Sequence, residues 1–194
     1  MGEIPVNDIT FNQLVVALVF ECPSSIRKKV IDKEADDHKK KIEVYSPVSS
    51  RKKSFREQNI TKDLLTTILT QMRRPLQQNK AYFVLEYSDD VIKRVESLTK
   101  SSTLKDPNFE LIVMKKRGDM SESEAIFYYI RNAFAHGSFE VKHFDSLKVY
   151  YFESSKDKNI KAMMRLREST LLQFAKLSQM DASQIKSFQK KRRS

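Results

Sequence analysis

The middle of the chain carries the stretch IFYYIRNAFAHG, residues 126–137. Its apolar side chains recur three and four residues apart, which is the spacing of a helix with one buried face. Upstream, Ser121 and Glu124 have the spacing of a capping box, in which a serine begins a helix and a glutamate completes the cap. Gly137 favours termination, because glycine adopts the left-handed conformation of a helix end most easily. The sequence therefore predicts a helix of about four turns from roughly 122 to 136.

Three polar side chains fall in the last turn and a half of this helix, namely Arg131, Asn132 and His136. At about 100° per residue, Asn132 and His136 lie one above the other on one face, with Arg131 to the side. The long guanidinium fork can swing toward the imidazole, so the helix end is a candidate polar site. Alternatively, Arg131 and His136 only cap exposed helix carbonyls and pair with a nearby acid such as Glu124 or Glu140.

The segment RNAFAH, residues 131–136, resembles the R-x4-6-H motif of the HEPN superfamily, in the form with a polar residue after the arginine. The following GSFEV, an apolar strand and a helix containing Ser-Thr-Leu-Leu resemble HEPN proteins encoded on plasmids and in defence islands. The resemblance covers roughly residues 120–175. It implies a mainly α-helical bundle of four or five helices with a small β-hairpin after the motif helix. Many toxin members carry a tyrosine two residues after the histidine, where this chain has Ser138.

The same resemblance implies a metal-independent endoribonuclease that cleaves RNA through attack by the 2′-hydroxyl, with Arg131, Asn132 and His136 as catalytic residues. Histidine suits proton transfer because its ordinary pKa of about 6.5 lies near the operating pH, and arginine suits a developing phosphate charge. Family members solve the need for two proton-transfer groups by forming a homodimer with a composite site. A toxin or phage-defence role follows, with an antitoxin or regulatory partner as a further expectation. The alternative is a non-catalytic RNA-binding or assembly module.

Several other chemistries lack their sequence patterns. The chain has no zinc-ligand spacing, P-loop, serine-triad motif or Asp-rich magnesium cluster, so the sequence predicts no metal and no cofactor. A single cysteine, Cys22, excludes an intrachain disulfide and suits a reducing compartment. The longest apolar run, Leu14–Phe20, is too short to span a bilayer, and no secretory signal is visible. These features predict a cytoplasmic protein without a membrane partner.

The net charge of +11 is concentrated in two segments, residues 27–56 and residues 181–194. Such basic segments favour an RNA partner, because binding to phosphates releases counterions, although a solvated basic surface is the alternative. Further candidates for RNA contact are Arg73, Arg74, Lys115, Lys116 and Arg117. Nine of the nineteen Phe and Tyr residues fall between 127 and 152. Such aromatics either stack unpaired bases or fill a core or dimer interface.

The sequence predicts one domain over residues 1–180, with a loop at 46–54 and a basic, flexible tail at 181–194. Helices are predicted over residues 8–21, 24–42, 60–74 and, with an unplaced start near Met163, within 160–179. Period-two alternation predicts a hairpin over 138–154 that turns near Asp145 and Ser146. His143 on this hairpin is read as an exposed strand residue, with a second catalytic acid as the alternative. The pattern between 80 and 114 is compatible with strand or helix.

Overall fold

The protein is an α/β fold in which helices pack on a mixed sheet. The computed structural model describes residues 8–23, 29–32, 41–44, 54–78, 83–100, 106, 109–156 and 158–190. The helices are α1 (Ile9–Val15), which a π-helical segment Val16–Glu21 continues, α2 (Lys62–Gln78), α3 (Val91–Thr99), α4 (Glu122–Ala135), α5 (Glu168–Ser178) and α6 (Ala182–Lys190). The strands are β1 (Lys29–Asp32), β2 (Lys41–Val44), β3 (Phe83–Tyr87), β4 (Glu110–Met114), β5 (Phe139–Phe144), β6 (Leu147–Lys156) and β7 (Asn159–Arg167).

Five strands form the central sheet in the order β3-β4-β7-β6-β5. The pair β3–β4 is parallel and is connected through α3, as a parallel pair requires a crossover, and the other neighbours are antiparallel. The prediction of a mainly α-helical, HEPN-like bundle of four or five helices with a small hairpin is therefore wrong. The predicted hairpin exists as β5 and β6, but it is the edge of a five-stranded sheet.

The burial of strand β4 on both faces is one reason why the sheet was not predicted. All five of its residues are buried, because it lies inside the sheet with helices on both faces. A strand covered on both sides reads as a continuous apolar run, which periodicity alone does not distinguish from a buried helix. Strand β7 contains Met, Leu, Arg and Lys, which are good helix formers, so pairing with β4 and β6 overrides local propensity.

The larger core lies on one face of the sheet and is covered by α1, its π-helical continuation, α2, α4, α5 and α6. Phe134 of α4 connects the aromatic residues of this core through ring contacts with Phe11, Phe139, Tyr150 and Phe152, at centroid distances of 5.0–6.3 Å. Most of the aromatic residues between 127 and 152 thus fill a core. Tyr151 is an exception, since it faces the other side of the sheet.

The second face of the sheet carries α3. Its residues Val91, Val95 and Leu98 pack with residues of β3, β4 and β7, including Leu111 and Val113. This smaller cluster lies over β4 and its two neighbours in the sheet, β3 and β7. Two apolar clusters, one on each face, explain why β4 is buried throughout.

A buried ion pair ties β4 to the junction of β7 and α5. Glu110 is fully buried and Arg167 is 7% exposed. The Glu110 carboxylate accepts hydrogen bonds from the Arg167 backbone N–H (2.8 Å), from Arg167 Nε (3.2 Å) and Nη2 (3.1 Å), and from Thr170 Oγ1 (3.0 Å). Burial raises the pKa of Glu110, and the hydrogen bonds from Arg167 and Thr170 oppose that rise.

Three other predictions are corrected by the described residues. The segment 24–42, predicted as a helix, contains β1, and β1 pairs antiparallel with β2 in a separate two-stranded sheet. Part of the predicted flexible tail at 181–194 is helix α6, whose Ile185 is fully buried. Helix α2, predicted over residues 60–74, runs three residues past Pro75 and ends at Gln78. Apart from Ser54, the predicted loop at 46–54 lies outside the described residues.

None of the described helices has the length and apolarity needed to cross a membrane.

Candidate functional site

The C-terminal end of α4 positions the motif residues through a Schellman turn. His136 is the C-cap residue, and Gly137 follows in the left-handed conformation with φ of 65°. The Ser138 N–H donates to the Ala133 carbonyl at 2.8 Å, and the Gly137 N–H donates to the Phe134 carbonyl at 3.2 Å. This pair of bonds closes the helix and turns the chain into β5. The predicted capping box at Ser121 and the predicted stop at Gly137 are both confirmed.

Gly137→Ala is expected to destabilise the protein by about 1–2 kcal/mol, the cost of placing an L-residue in the left-handed region. Among the residues that the structure describes, none beyond the chain neighbours of Gly137 lies within 4 Å of the Cβ position, so backbone conformation and not steric overlap accounts for the loss. Chemical denaturation of the parent and of Gly137→Ala measures this loss in the free energy of unfolding. The matched variant Gly137→Asn is expected to lose less, because asparagine tolerates this conformation better. Equal stability of Gly137→Ala and the parent contradicts the described turn.

One narrow stripe of α4 faces outward. Tyr128, Arg131 and Asn132 are half-buried, Ala135 and His136 are exposed, and the positions between them are buried in the core. These residues recur at the three- and four-residue spacing of a single helix face. The stripe places all three motif side chains on the same surface of the protein.

Asn132 and His136 line a cleft of about 300 Å³ between the end of α4 and strand β6. The other lining residues are Ser138, Glu153, Ser154 and Ser155. The β6–β7 register shifts between Ser154 and Ser155, and such irregularities re-aim side chains at strand ends. The Glu153 N–H donates to the Ser138 carbonyl at 3.0 Å, which fixes this part of β6 beside the helix end.

The cleft combines groups suited to acid–base chemistry. His136 supplies an imidazole, Glu153 a carboxylate, and Asn132 an amide that can donate and accept hydrogen bonds. Within the described ranges, no side-chain hydrogen bond or ion pair involves Arg131, Asn132 or His136. The motif side chains are therefore available to a ligand.

The alternative in which the motif only caps a helix end is not supported by the contacts of the nearby acids. Glu124 accepts hydrogen bonds from the Ser121 backbone N–H at 2.9 Å and from Ser121 Oγ at 2.8 Å. Glu140 pairs with Lys142 at 3.3 Å. Both carboxylates named as possible partners of Arg131 and His136 are thus engaged elsewhere.

The five basic residues predicted to contact RNA are not gathered around His136. Arg73 pairs with Glu122 at 2.8 Å, at the first turn of α4, which lies about 21 Å from His136 at 1.5 Å per residue. Arg74 Nη1 donates to Gln71 Oε1 at 3.4 Å. Two of the five candidates are thus held near the opposite end of the helix.

Arg117 is held by a neighbouring acid and a ring. Its guanidinium forms two hydrogen bonds to Asp119, of 2.9 and 3.1 Å, and lies 4.5 Å from the ring centroid of Tyr128. These hydrogen bonds raise its pKa. The Lys115 Nζ atom is 3.8 Å from Asp89 Oδ1, and the Lys116 side chain is exposed. Because Tyr128 belongs to the outward stripe of α4, Arg117 borders the motif surface.

Two further findings concern residues weighed from the sequence. His143 is exposed on β5 and pairs in register with Lys148 beside the hairpin turn, about 17 Å along the strand from Ser138. It therefore lies apart from the cleft, and its alternative reading as a second acid is not supported. Glu153, Ser154 and Ser155 were not predicted as site residues. The one feature of the sequence that marks them is the pair Ser154–Ser155, which interrupts the alternation of apolar and polar residues near the end of β6.

Comparisons with protein-family models, with curated proteins and with solved structures found no match.

Proposed function

We propose that this chain is a metal-independent endoribonuclease of HEPN type that acts on RNA through the 2′-hydroxyl. The observation that carries the proposal is the position of His136, which is exposed and shares a cleft with Asn132 at the end of the helix that also presents Arg131. The resemblance of residues 131–136 to the R-x4-6-H motif supplies the reaction class, and the cleft geometry is compatible with it.

The proposed reaction uses a nucleophile that RNA already contains. A base removes the proton of the 2′-hydroxyl, the oxygen attacks the adjacent phosphorus, and the bond from phosphorus to the 5′-oxygen breaks. An acid protonates the leaving oxygen, so the products are a 2′,3′-cyclic phosphate and a 5′-hydroxyl. His136 exchanges protons in this scheme, Arg131 stabilises charge on the phosphate, and Asn132 orients the imidazole or holds the phosphate.

A homodimer gives this scheme its second proton-transfer group. One imidazole does not easily serve both sides of one phosphorus, whereas two copies of the outward stripe of α4 facing each other bring two His136 and two Arg131 side chains together. The small side chain of Ala135 lies exposed between these residues, which permits close approach of two helices. A toxin or phage-defence role in the cytoplasm, with an antitoxin or regulatory partner, completes the proposal and follows from the family resemblance.

Ala135→Lys is expected to convert the dimer to a monomer and to abolish cleavage, because it places a long charged side chain at the meeting face. Lysine near a helix C-terminus is compatible with the helix dipole, so folding is retained. Sedimentation equilibrium reads the mass, which is twice 22.7 kDa for the parent and 22.7 kDa for the variant. Ser97→Lys, at an exposed position of α3 on the opposite sheet face, is the matched control and remains dimeric and active. An active monomeric parent, or an active dimeric Ala135→Lys, contradicts the composite site.

The test of the proposal is incubation of the purified protein with total RNA in the presence of a chelator, followed by analysis of the product ends. Fragments ending in 2′,3′-cyclic phosphate with the parent, and none with His136→Ala, support the enzyme. RNA binding that survives His136→Ala, with no cyclic ends from either protein, favours the alternative of a non-catalytic RNA-binding or assembly module.

A further inference from the structure

A second, larger cavity lies on the sheet face opposite α4. It has a volume of about 590 Å³ and is bounded by α3 on one side and by strands β5, β6 and β7 on the other. Val95, Leu111 and Met163 form its apolar wall, and Tyr151, Glu140 and Arg165 form its polar side. Helix α3 packs over β4 and the central strand β7, so the β5–β6 half of this face is where the cavity opens.

The Tyr151 ring is at the polar side of this cavity, and the side chains of Lys142 and Arg165 contact it. Tyr151 is directly opposite Arg165 on β7 and Glu140 on β5, so the three form one row across the sheet. The Arg165 guanidinium lies 5.5 Å and the Lys142 ammonium 4.9 Å from the Tyr151 ring centroid. Tyr151 is half-buried and Lys142 is exposed. The long side chain of Lys142 can therefore move from the ring to an arriving anion.

This cavity adjoins the cleft that holds His136. Ser138 and Glu153 line both of them. Both residues lie where β5 begins and β6 passes the end of α4, and the Glu153 N–H to Ser138 carbonyl bond joins them there. The two cavities are therefore neighbours at the start of β5, close enough for adjacent nucleotides of one RNA strand to occupy both.

We propose that this cavity binds one unpaired base of single-stranded RNA, stacked on the Tyr151–Arg165 pair, beside the scissile linkage in the His136 cleft. Aromatic rings and guanidinium planes are the surfaces on which unpaired bases stack. The Lys142 ammonium, which lies 3.3 Å from Glu140, matches a phosphate next to the base, and the exposed Glu153 carboxylate accepts hydrogen bonds from base N–H groups. Arg165 keeps its hydrogen bond to the Asp106 carbonyl (2.9 Å) and serves as part of the stacking surface. The connection to cleavage rests on the proposed function, whereas the binding itself does not.

The test measures binding of a fluorescently labelled, mixed-sequence oligoribonucleotide of about eight nucleotides, within the usual site sizes for such surfaces, by fluorescence anisotropy. All proteins carry His136→Ala, so that cleavage does not interfere. Adding Tyr151→Leu is expected to weaken binding by about 5- to 100-fold, the range expected for one base–aromatic stack. Adding Tyr151→Phe, which keeps the ring, is the matched control and leaves the affinity within about twofold. Equal affinities of all three proteins overturn the proposal.

A second measurement keeps the test decisive if Tyr151→Leu folds poorly. Cross-linking of the His136→Ala protein to the same oligonucleotide carrying 4-thiouridine is expected to modify Tyr151 within the tryptic peptide Val149–Lys156. Cross-links confined to other peptides overturn the proposal. Tyr151-dependent binding in a protein that never cleaves RNA defeats the proposed function alone. Cleavage by a Tyr151→Leu protein with unchanged RNA affinity and KM defeats this inference alone.

Discussion

His136→Ala is expected to slow RNA cleavage by about 10²- to 10⁴-fold while leaving the fold intact. The size follows from the contribution of a positioned proton-transfer group. Folding is retained because His136 is exposed at a helix C-cap and has no side-chain hydrogen bond within the described ranges. Surface substitutions of this kind usually change stability by less than about 0.5 kcal/mol. Single-turnover cleavage of a defined oligoribonucleotide, with thermal unfolding of the same samples, measures both quantities.

The matched control is His143→Ala, which removes an exposed histidine from β5 near the hairpin turn. It lies away from the cleft, so cleavage at the parental rate is expected. The same assay with a chelator is expected to give the same rates as without one. A His136→Ala protein that cleaves at the parental rate, or a parent that strictly requires Mg²⁺, contradicts the proposed chemistry.

Glu110→Ala is expected to destabilise the fold by about 3–5 kcal/mol, the usual loss when one partner of a buried ion pair is removed. The variant leaves the buried Arg167 guanidinium without its carboxylate and Thr170 Oγ1 without its acceptor. Urea denaturation at neutral pH measures the change in the free energy of unfolding.

The control for this change is Asp89→Ala. It removes the acid of an exposed pair, in which Asp89 is 99% exposed and lies 3.8 Å from Lys115. A loss below about 1 kcal/mol is expected, because such pairs are screened by water and salt. If Glu110→Ala loses no more than Asp89→Ala, Glu110 is not the buried tie between β4 and α5 that the structure indicates.

Local signals in the sequence predicted the part of the fold that carries the motif. The capping box at Ser121, the helix stop at Gly137 and the hairpin turn at Asp145–Ser146 all depend on residues within a few positions of one another. Each is a short-range conformational preference, so each is visible without knowledge of the rest of the chain.

The sheet could not be predicted in the same way, because its evidence is long-range. Strand β4 is apolar after Glu110 and pairs with β3 and β7, which lie on either side of it in the sequence. The register that places Glu110 beside Arg167 joins residues that are 57 positions apart. Only tertiary pairing makes the helix-favouring residues of β7 into a strand.

The residues of the candidate site were likewise predictable only where a short-range pattern relates them. Arg131, Asn132 and His136 share one helix, so their common face follows from the helical repeat. Glu153 and the two serines reach the cleft from β6 through strand pairing and a register shift, which have no short-range signature. Arg73 and Arg117 were expected to meet RNA because they are basic, but Glu122 and Asp119 already hold them.

The most direct measurement of the central claim uses one oligoribonucleotide whose cleaved position has been mapped, and a second copy with 2′-deoxyribose at that position alone. Cleavage of the first copy, in the presence of a chelator, and full resistance of the second at the substituted position are expected. Cleavage of the 2′-deoxy copy at that position would show that the neighbouring hydroxyl is not the nucleophile and would contradict the account.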